Sequence, residues 1–513
     1  MCTFAADLTK LKVKKVKEKV KPKQNKTMKK VLFAFAILTC QLSLINPIQA
    51  GGLVTNSNQN AAFLRQMSQD AIIDITGIYL NPAGTAFLSN GWHVSANIQN
   101  AKQSRDITTD FPLFQYNRQQ PYTPHEFKGD AYAPVIPSIH ASYNHDKWSV
   151  NASFSLGGGG GKCEFDQGLG SFEVLYAGKI YKSIYQTIVS NVTAALPVGT
   201  PASAIQTAAD TQMGALYQGY TLDSYMKGRQ YYFGLSLGAT YKFMDNLAGF
   251  VGLRGVYATC NYNGYVQDVN YSLATSPTPI DANSDLALNC DQTGFGVTPI
   301  IGIDYKINKH WNVAARFEAE TKLRLKNKTE MNAVALAEIA NGNATLAQFA
   351  DDKKVEANIP GILSAGAQYS PIDQVRIMAG WHYYFDKAAK QYGGKQHKID
   401  KNTQEFSAGV EWDCCKWVTI SGSWQNTRYG LGDEYMNDLS FNLSNNMIGG
   451  GVRINATEKI HIDLGYMHTF YKDKTITTNV EAPTLTDPSR TLPKTDKYHR
   501  SNRVFGVGLN LDF

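Results

Sequence analysis

From Gly91 to the end of the chain, apolar residues alternate with small or polar ones, in about fourteen separate runs. In the last run Phe505, Val507, Leu509, Leu511 and Phe513 alternate with Gly506, Gly508, Asn510 and Asp512. Phe233, Leu235, Leu237, Ala239, Tyr241 and Phe243 alternate likewise with Gly234, Ser236, Gly238, Thr240 and Lys242. So do Trp311, Val313, Ala315, Phe317 and Ala319 with Asn312, Ala314, Arg316, Glu318 and Glu320. Successive side chains of a strand point to opposite faces, so each run predicts a strand with one apolar face. A soluble sandwich shares this pattern. Many runs, however, last about ten to fifteen residues, which suits a tilted membrane span better than a sandwich strand. Tyr, Trp and Phe gather at their ends, as an interfacial girdle requires.

The connections carry the stronger signal. Very short turns fall at Asn144–Lys147, Met244–Asn246, Asn308–His310, Ser370–Asp373, Cys414–Cys415 and Asn455–Glu458. Between them lie long polar connections near 105–131, 158–228, 270–290, 330–355, 388–400, 431–439 and 478–496. Strands are expected near 92–104, 132–145, 147–157, 229–243, 247–269, 291–307, 311–329, 356–370, 374–387, 401–413, 416–430, 440–455, 459–477 and 497–513. Strict alternation of short and long connections predicts an all-β transmembrane antiparallel barrel of about 14 strands, with periplasmic turns and long outer loops. A strand that ends the chain on an aromatic, here Phe513, resembles the signal read by the barrel-assembly machinery of the Gram-negative outer membrane. Two outer loops carry helix-like spacing, within Gly170–Gly228 (Ala202 to Leu216 above all) and within Met331–Ala350.

Charge separates the leader from the rest. Residues 1–50 hold eleven Lys against Asp7 and Glu18, leaving 39 basic and 41 acidic residues of the chain's 50 and 43. The mature part is nearly neutral, so nucleic acid is not an expected partner. Met28-Lys29-Lys30, the apolar run Val31 to Ile45 and the small-residue site ending at Ala50 read as a secretory signal peptide. Translation is expected to start at Met28. Thr39 before Cys40 is a poor lipoprotein signal, and no lipid anchor is expected. The domain plan is therefore 1–50 extension and signal peptide, 51–90 an N-terminal hatch, and 91–513 the barrel. Five cysteines follow Ala50, among them Cys414-Cys415 in a predicted turn, with no C-x-x-C. No disulfide framework, metal or other cofactor is expected, and whether Cys260 and Cys290 pair stays open.

Two segments do not read as staves. Ala61 to Leu88 centres on Asn81-Pro82-Ala83-Gly84, where Asn81 can cap a helix whose first residue, Pro82, needs no N–H donor. Gly157, Gly158, Gly159, Gly160 and Gly161 follow the third strand. With Lys162-Cys163 after them they miss a phosphate-binding loop, because Leu156 replaces its first Gly and Cys163 its Ser or Thr. Consecutive glycines weaken pairing and permit kinks, so the run is read as the end or break of strand three.

At this point the chain resembles the FadL family of outer-membrane channels for long-chain fatty acids and other hydrophobic compounds. The resemblance runs from Gly51 to Phe513. It rests on Asn81-Pro82-Ala83, which matches the family's hatch motif, and on Asn358-Ile359-Pro360-Gly361 leading into Ala365-Gly366-Ala367-Gln368-Tyr369. It implies a monomeric barrel with the hatch folded inside the lumen. A fatty-acid-like ligand would bind near the hatch and leave sideways, through a gap at a kinked third strand, into outer-membrane lipid. No nucleotide or metal drives the step.

Candidate residues follow. Phe63, Tyr79, Leu80, Phe87 and Leu88 are expected to close the pore and meet ligand. The five glycines mark the candidate opening. Arg316, Glu318, Glu320, Lys322 and Arg324 share one parity and are placed on one lumenal face, where they would hydrogen-bond to the plug, meet a ligand carboxylate or pair with other lumen charges across the barrel. A general porin would need no hatch, an energy-coupled receptor would need a far larger plug, and a barrel lipase or protease would show a nucleophile elbow, which is missing here.

Overall fold

Sixteen of eighteen strand pieces assemble into fourteen staves of a closed antiparallel barrel. The computed structural model describes residues 53–513. The signal peptide and its cleavage site lie outside the described residues. The staves are β1 (Gly91–Asp110), β2 (His125–His145), β3 (Trp148–Phe165), β4 (Tyr217–Met244), β5 (Leu247–Leu273), β6 (Leu286–Lys306) and β7 (Trp311–Glu318, resumed as Arg324–Met331). They continue as β8 (Ile362–Ile372, preceded by Lys354–Glu356), β9 (Val375–Tyr384), β10 (Ile399–Cys415), β11 (Val418–Leu431), β12 (Asn445–Thr457), β13 (Ile460–Tyr471) and β14 (Thr491–Asp512). Two short pieces, Ile280–Asp281 and Lys474–Glu481, are loop flaps on β5 and β14. Each stave pairs with the next, and β1 closes on β14 with Ala96 opposite Leu509.

The period-two pattern explains the wall. Along β14, Phe505, Leu509 and Phe513 face outward while Gly506, Gly508 and Asn510 are buried inside. An apolar outside around a polar inside is what a bilayer selects, since lipid offers the backbone no hydrogen bonds and a closed barrel leaves no open edge. Aromatics band the short-turn end, where Trp92 meets Tyr143 at 5.0 Å and Trp311 stacks on Tyr369 at 4.5 Å. Among the described residues no helix is long and apolar enough to cross a membrane.

The staves overrun the membrane on the long-loop side. β4 has 28 residues where about ten suffice to cross. Strand three does not end at Gly157 but continues to Phe165, and strand four begins at Tyr217, twelve residues before the expected start. In these upper parts the pattern inverts, with polar Lys162, Glu164, Asp223 and Lys227 outward and Cys163, Phe165 and Met226 buried inside, so they lack the outward apolar face that marks a membrane stave. Above them sit a helical hairpin, α1 (Gly170–Ala195) and α2 (Ala202–Leu216), and a shorter helix, α3 (Ala333–Ala340), capped by Asn332. The hairpin packs on Phe111, Phe114, Tyr217 and Tyr220, and buried Glu173 at its base accepts from Asn117 (2.6 Å) and Tyr220 (2.8 Å).

The inward parity of Arg316 and Glu318 does not extend to Arg324. Five residues, 319–323, leave the ladder between the two parts of β7, and a shift of one residue turns every later side chain to the other face. Arg316 and Glu318 therefore point into the lumen, whereas Lys322 and Arg324 point out, Arg324 with 73% of its side chain exposed. Glu320 sits in the break itself. There Asn358 stitches the chain, donating to Glu320 at 2.7 Å and accepting from the Leu323 amide at 2.9 Å. The Asn358–Gly361 motif thus holds the interruption together.

Candidate functional site

The lumen is filled by residues 53–90, nearly all of them buried. A single turn of helix, Ala61–Arg65, starts at Asn60, whose side chain accepts from the Phe63 amide at 2.8 Å. It lies directly on the wall because β12 to β14 present glycine there. A Cβ on Gly465 would stand 2.7 Å from the Ala61 carbonyl, and one on Gly449 2.2 Å from that of Leu64. Arg65, 1% exposed, is the deepest anchor. Its guanidinium donates to Asp463 (2.7 Å), to Ser421 (2.6 Å) and to Glu411. Arg376 supports Glu411 at 3.0 Å, and Arg453 bridges Asp463 to Asp74 of the lumenal segment at 2.6 Å. Burial alone would raise the Asp74 carboxyl, but the Arg453 charge and hydrogen bond outweigh it and hold it well below the usual carboxylate range.

Two further clasps continue the attachment. Asp70 stands 2.7 Å from one ring nitrogen of His382, and Glu405 stands 3.0 Å from the other. Glu405 in turn accepts from Tyr384, Gln425 and Thr427. The Tyr79 ring has the Arg254 and Arg316 guanidiniums at 4.4 and 5.3 Å from its centre, and Glu318 takes a bidentate pair from Arg254. A ring close to two cations gains from its quadrupole most where water is excluded.

Asn81-Pro82-Ala83-Gly84 sits at the short-turn end. Pro82–Phe87 forms a 3-10 helix, and the Asn81 side chain accepts from the Gly84 amide at 3.3 Å while donating to the Ile72 carbonyl at 3.0 Å and to Asp304. Thr85 meets Ser149 and Thr240 of the wall. Phe87 lies under the Lys306 ammonium at 4.2 Å.

The opposite end of the segment meets a defect in the wall. Pairing of β2 with β3 lapses between Asp130–Glu164 and Ile139–Phe154. Both edges explain the lapse. Pro134 and Pro137 remove two donors from β2. On β3, Gly159 and Gly161 take φ of 100° and 75°, values that side chains resist, and the register toward β4 slips twice across the run. Residues 54–56 occupy the lapse as a short extra strand. Thr55 lies opposite Gly158, the Asn56 amide donates to Gly157 at 3.0 Å, and the Gly159 amide donates to Val54 at 2.9 Å. Gly158 is required there, because a Cβ would stand 2.0 Å from the Val54 carbonyl.

Beside this defect a cavity of about 360 Å³ opens above residues 53–54. Leu53, Phe165, Leu169, Phe349 and Phe441 make much of its lining apolar, Arg105 and Lys395 bring positive charge, and Glu356 and Asp438 bring negative charge. The Lys395 ammonium stands 4.4 Å from the centre of the Tyr435 ring. Burial, then Lys398, pushes its pKa down to about 8.

Of the residues singled out in the sequence, the structure brings the glycine run to this cavity through Gly161. Phe63, Tyr79, Leu80 and Phe87 are held in the clasps below it and Leu88 ends the 3-10 turn, while Leu53 and Val54 line the cavity instead. The prolines of β2 were legible as residues that a central strand excludes. Arg105 shares the inward parity of Gln103, and Lys395 has no sequence signal at all. Cys260 and Cys290 are buried and unpaired.

Over 90% of this chain and 100% of the other, the fold matches the crystal structure of a Pseudomonas aeruginosa FadL homologue, at a TM-score of 0.61 and 13% identity. The chain has the FadL fold. Two mutants of the monoaromatic hydrocarbon channel TodX share it, at TM-scores of 0.53 and 0.51 with 10% and 11% identity, covering 88% and 89% of this chain and 99% of each of theirs. No family model and no curated protein matches the sequence. Identity this low leaves the FadL fold recognisable through its staves and its filled lumen rather than through shared side chains.

Proposed function

We propose that this protein is an outer-membrane channel for passive uptake of long-chain, fatty-acid-like amphiphiles, with residues 53–90 as its hatch. The carrying observation is the lapse in β2–β3 pairing, which lies beside the cavity and is bridged by residues 54–56. A ligand in the cavity has its shortest path to lipid through that lapse. Two backbone hydrogen bonds hold the closure, whereas a complete ladder would hold the wall elsewhere. The clasps at Arg65, Asp70 and Asp74 keep the remainder of the hatch in place, so a local shift of residues 53–57 suffices.

The mixed lining favours an amphiphile over a neutral hydrocarbon. The half-buried Lys395 ammonium and the Arg105 guanidinium offer charge-assisted bonds to a carboxylate placed away from Glu356 and Asp438, while the apolar lining takes the chain. The likeness to the FadL homologue and to TodX supports a channel for hydrophobic compounds rather than an enzyme. Deleting the gene is expected to lower uptake of added palmitate and leave that of small sugars unchanged. An equal loss of both would make it a general porin.

A further inference from the structure

Ten residues above Trp92, the outer wall carries two cations with no acidic partner. Lys102 of β1 and Arg503 of β14 are opposite each other in register, and both are exposed on the lipid-facing parity. Neither forms an ion pair among the described residues. Ten residues of a tilted strand rise about 25 Å, the height of the apolar band, so the pair stands at its outer margin. Around it the wall is graded. Directly below are Phe505 and Tyr466, exposed and opposite each other. Directly above, the Ser104 and Ser501 hydroxyls meet at 2.9 Å. The nearest acids, Asp106 and Asp130, lie in or above the serine row, and Asp106 accepts from Ser104.

We propose that Lys102 and Arg503 seat the phosphate of an outer-leaflet phospholipid or glycolipid, with its acyl chains lying down over Phe505 and Tyr466. Unpaired cations at the hydrocarbon margin are costly unless an anion meets them, and a planar guanidinium beside an ammonium suits a phosphate. The apolar pair beneath favours a lipid over free phosphate. Tyr132 adjoins Lys102 in register and belongs to the part of β2 that has lost β3. The seated lipid therefore borders the lateral defect. The inference does not depend on what passes through the barrel.

The test is native mass spectrometry of the purified full-length barrel with diphosphoryl lipid A added in detergent. The double variant K102Q/R503Q is expected to lose bound lipid roughly tenfold or more. K309Q/K387Q, which removes the same charge elsewhere, should bind like the parent. Lipid A stripped of phosphate should bind the parent no better than the phosphorylated form binds the double variant. Should the double variant not fold, as judged by heat-modifiable migration, R503Q alone is expected to lose lipid severalfold. Equal binding by parent and variant, or by the stripped lipid, would overturn the seat. Displacement of the lipid by millimolar inorganic phosphate would assign the pair to a free anion and overturn the lipid.

Discussion

Arg65 shows what a single buried charge does in this lumen. It faces Asp463 and Glu411, each also reached by a second arginine. Replacing it with Ala leaves two carboxylates short of a partner in a site without water access. Breaking such a pair costs about 3–5 kcal/mol. R65A is expected to lower the thermal unfolding midpoint, and an unchanged midpoint would mean that the hatch is not tied through this residue. Lys395 makes a different prediction. Its pKa is pushed down to about 8, so it is an ammonium below that pH and a neutral amine above it. The unfolded chain, titrating near the ordinary lysine value, binds more protons between about 8 and 10.4, so this residue costs stability below about 8 and the cost is relieved as pH rises through that window. Palmitate binding runs the other way. It should weaken as pH rises through about 8, and K395Q should flatten that dependence, as followed by isothermal titration. A parent with pH-independent binding from 7 to 9 would remove Lys395 from the ligand site.

At the scale of elements, the short strand 54–56 is the least secured part of the hatch. Its hold depends on Gly158 having no side chain. G158A should push Val54 off the edge, so the Asn56 and Gly159 amides should exchange with solvent faster while the rest of the barrel exchanges as before. Unaltered exchange at those amides would show that the contact is not the closure. Elements were also where the sequence was most and least readable. Fourteen staves and their turns follow from alternation, because each membrane-facing run must be apolar on one side. The extension of β3 and β4 above the bilayer does not, since there Asp223 and Lys227 face outward to water and the buried Cys163, Phe165 and Met226 face in, the reverse of a membrane stave. Parity placed Arg316 and Glu318 correctly and misplaced Lys322 and Arg324, because the irregular stretch 319–323 leaves no mark in residue type. The glycine run was legible as a weak point in pairing, but its partners, Val54 to Asn56 and the prolines of β2, come together only in the fold.

Three features meet in the whole molecule: a cavity with apolar and charged lining, a lapse in the wall beside it, and a strand that covers the lapse. The FadL fold supplies the barrel and the filled lumen, and the chain's own prolines and glycines make the defect. The claim at the centre is that ligand leaves through this lapse. Gly157 is the place to test it, because a Cβ there meets nothing nearer than the Tyr232 carbonyl at 3.9 Å. In a C414S/C415S background, which removes the two exposed cysteines, G157C should fold and take up palmitate like the parent. Modification of Cys at that position with a bulky apolar maleimide should then abolish palmitate uptake. The same reagent on the C414S/C415S background alone should leave uptake unchanged. Full modification of G157C with uptake undiminished would contradict a lateral exit between β2 and β3.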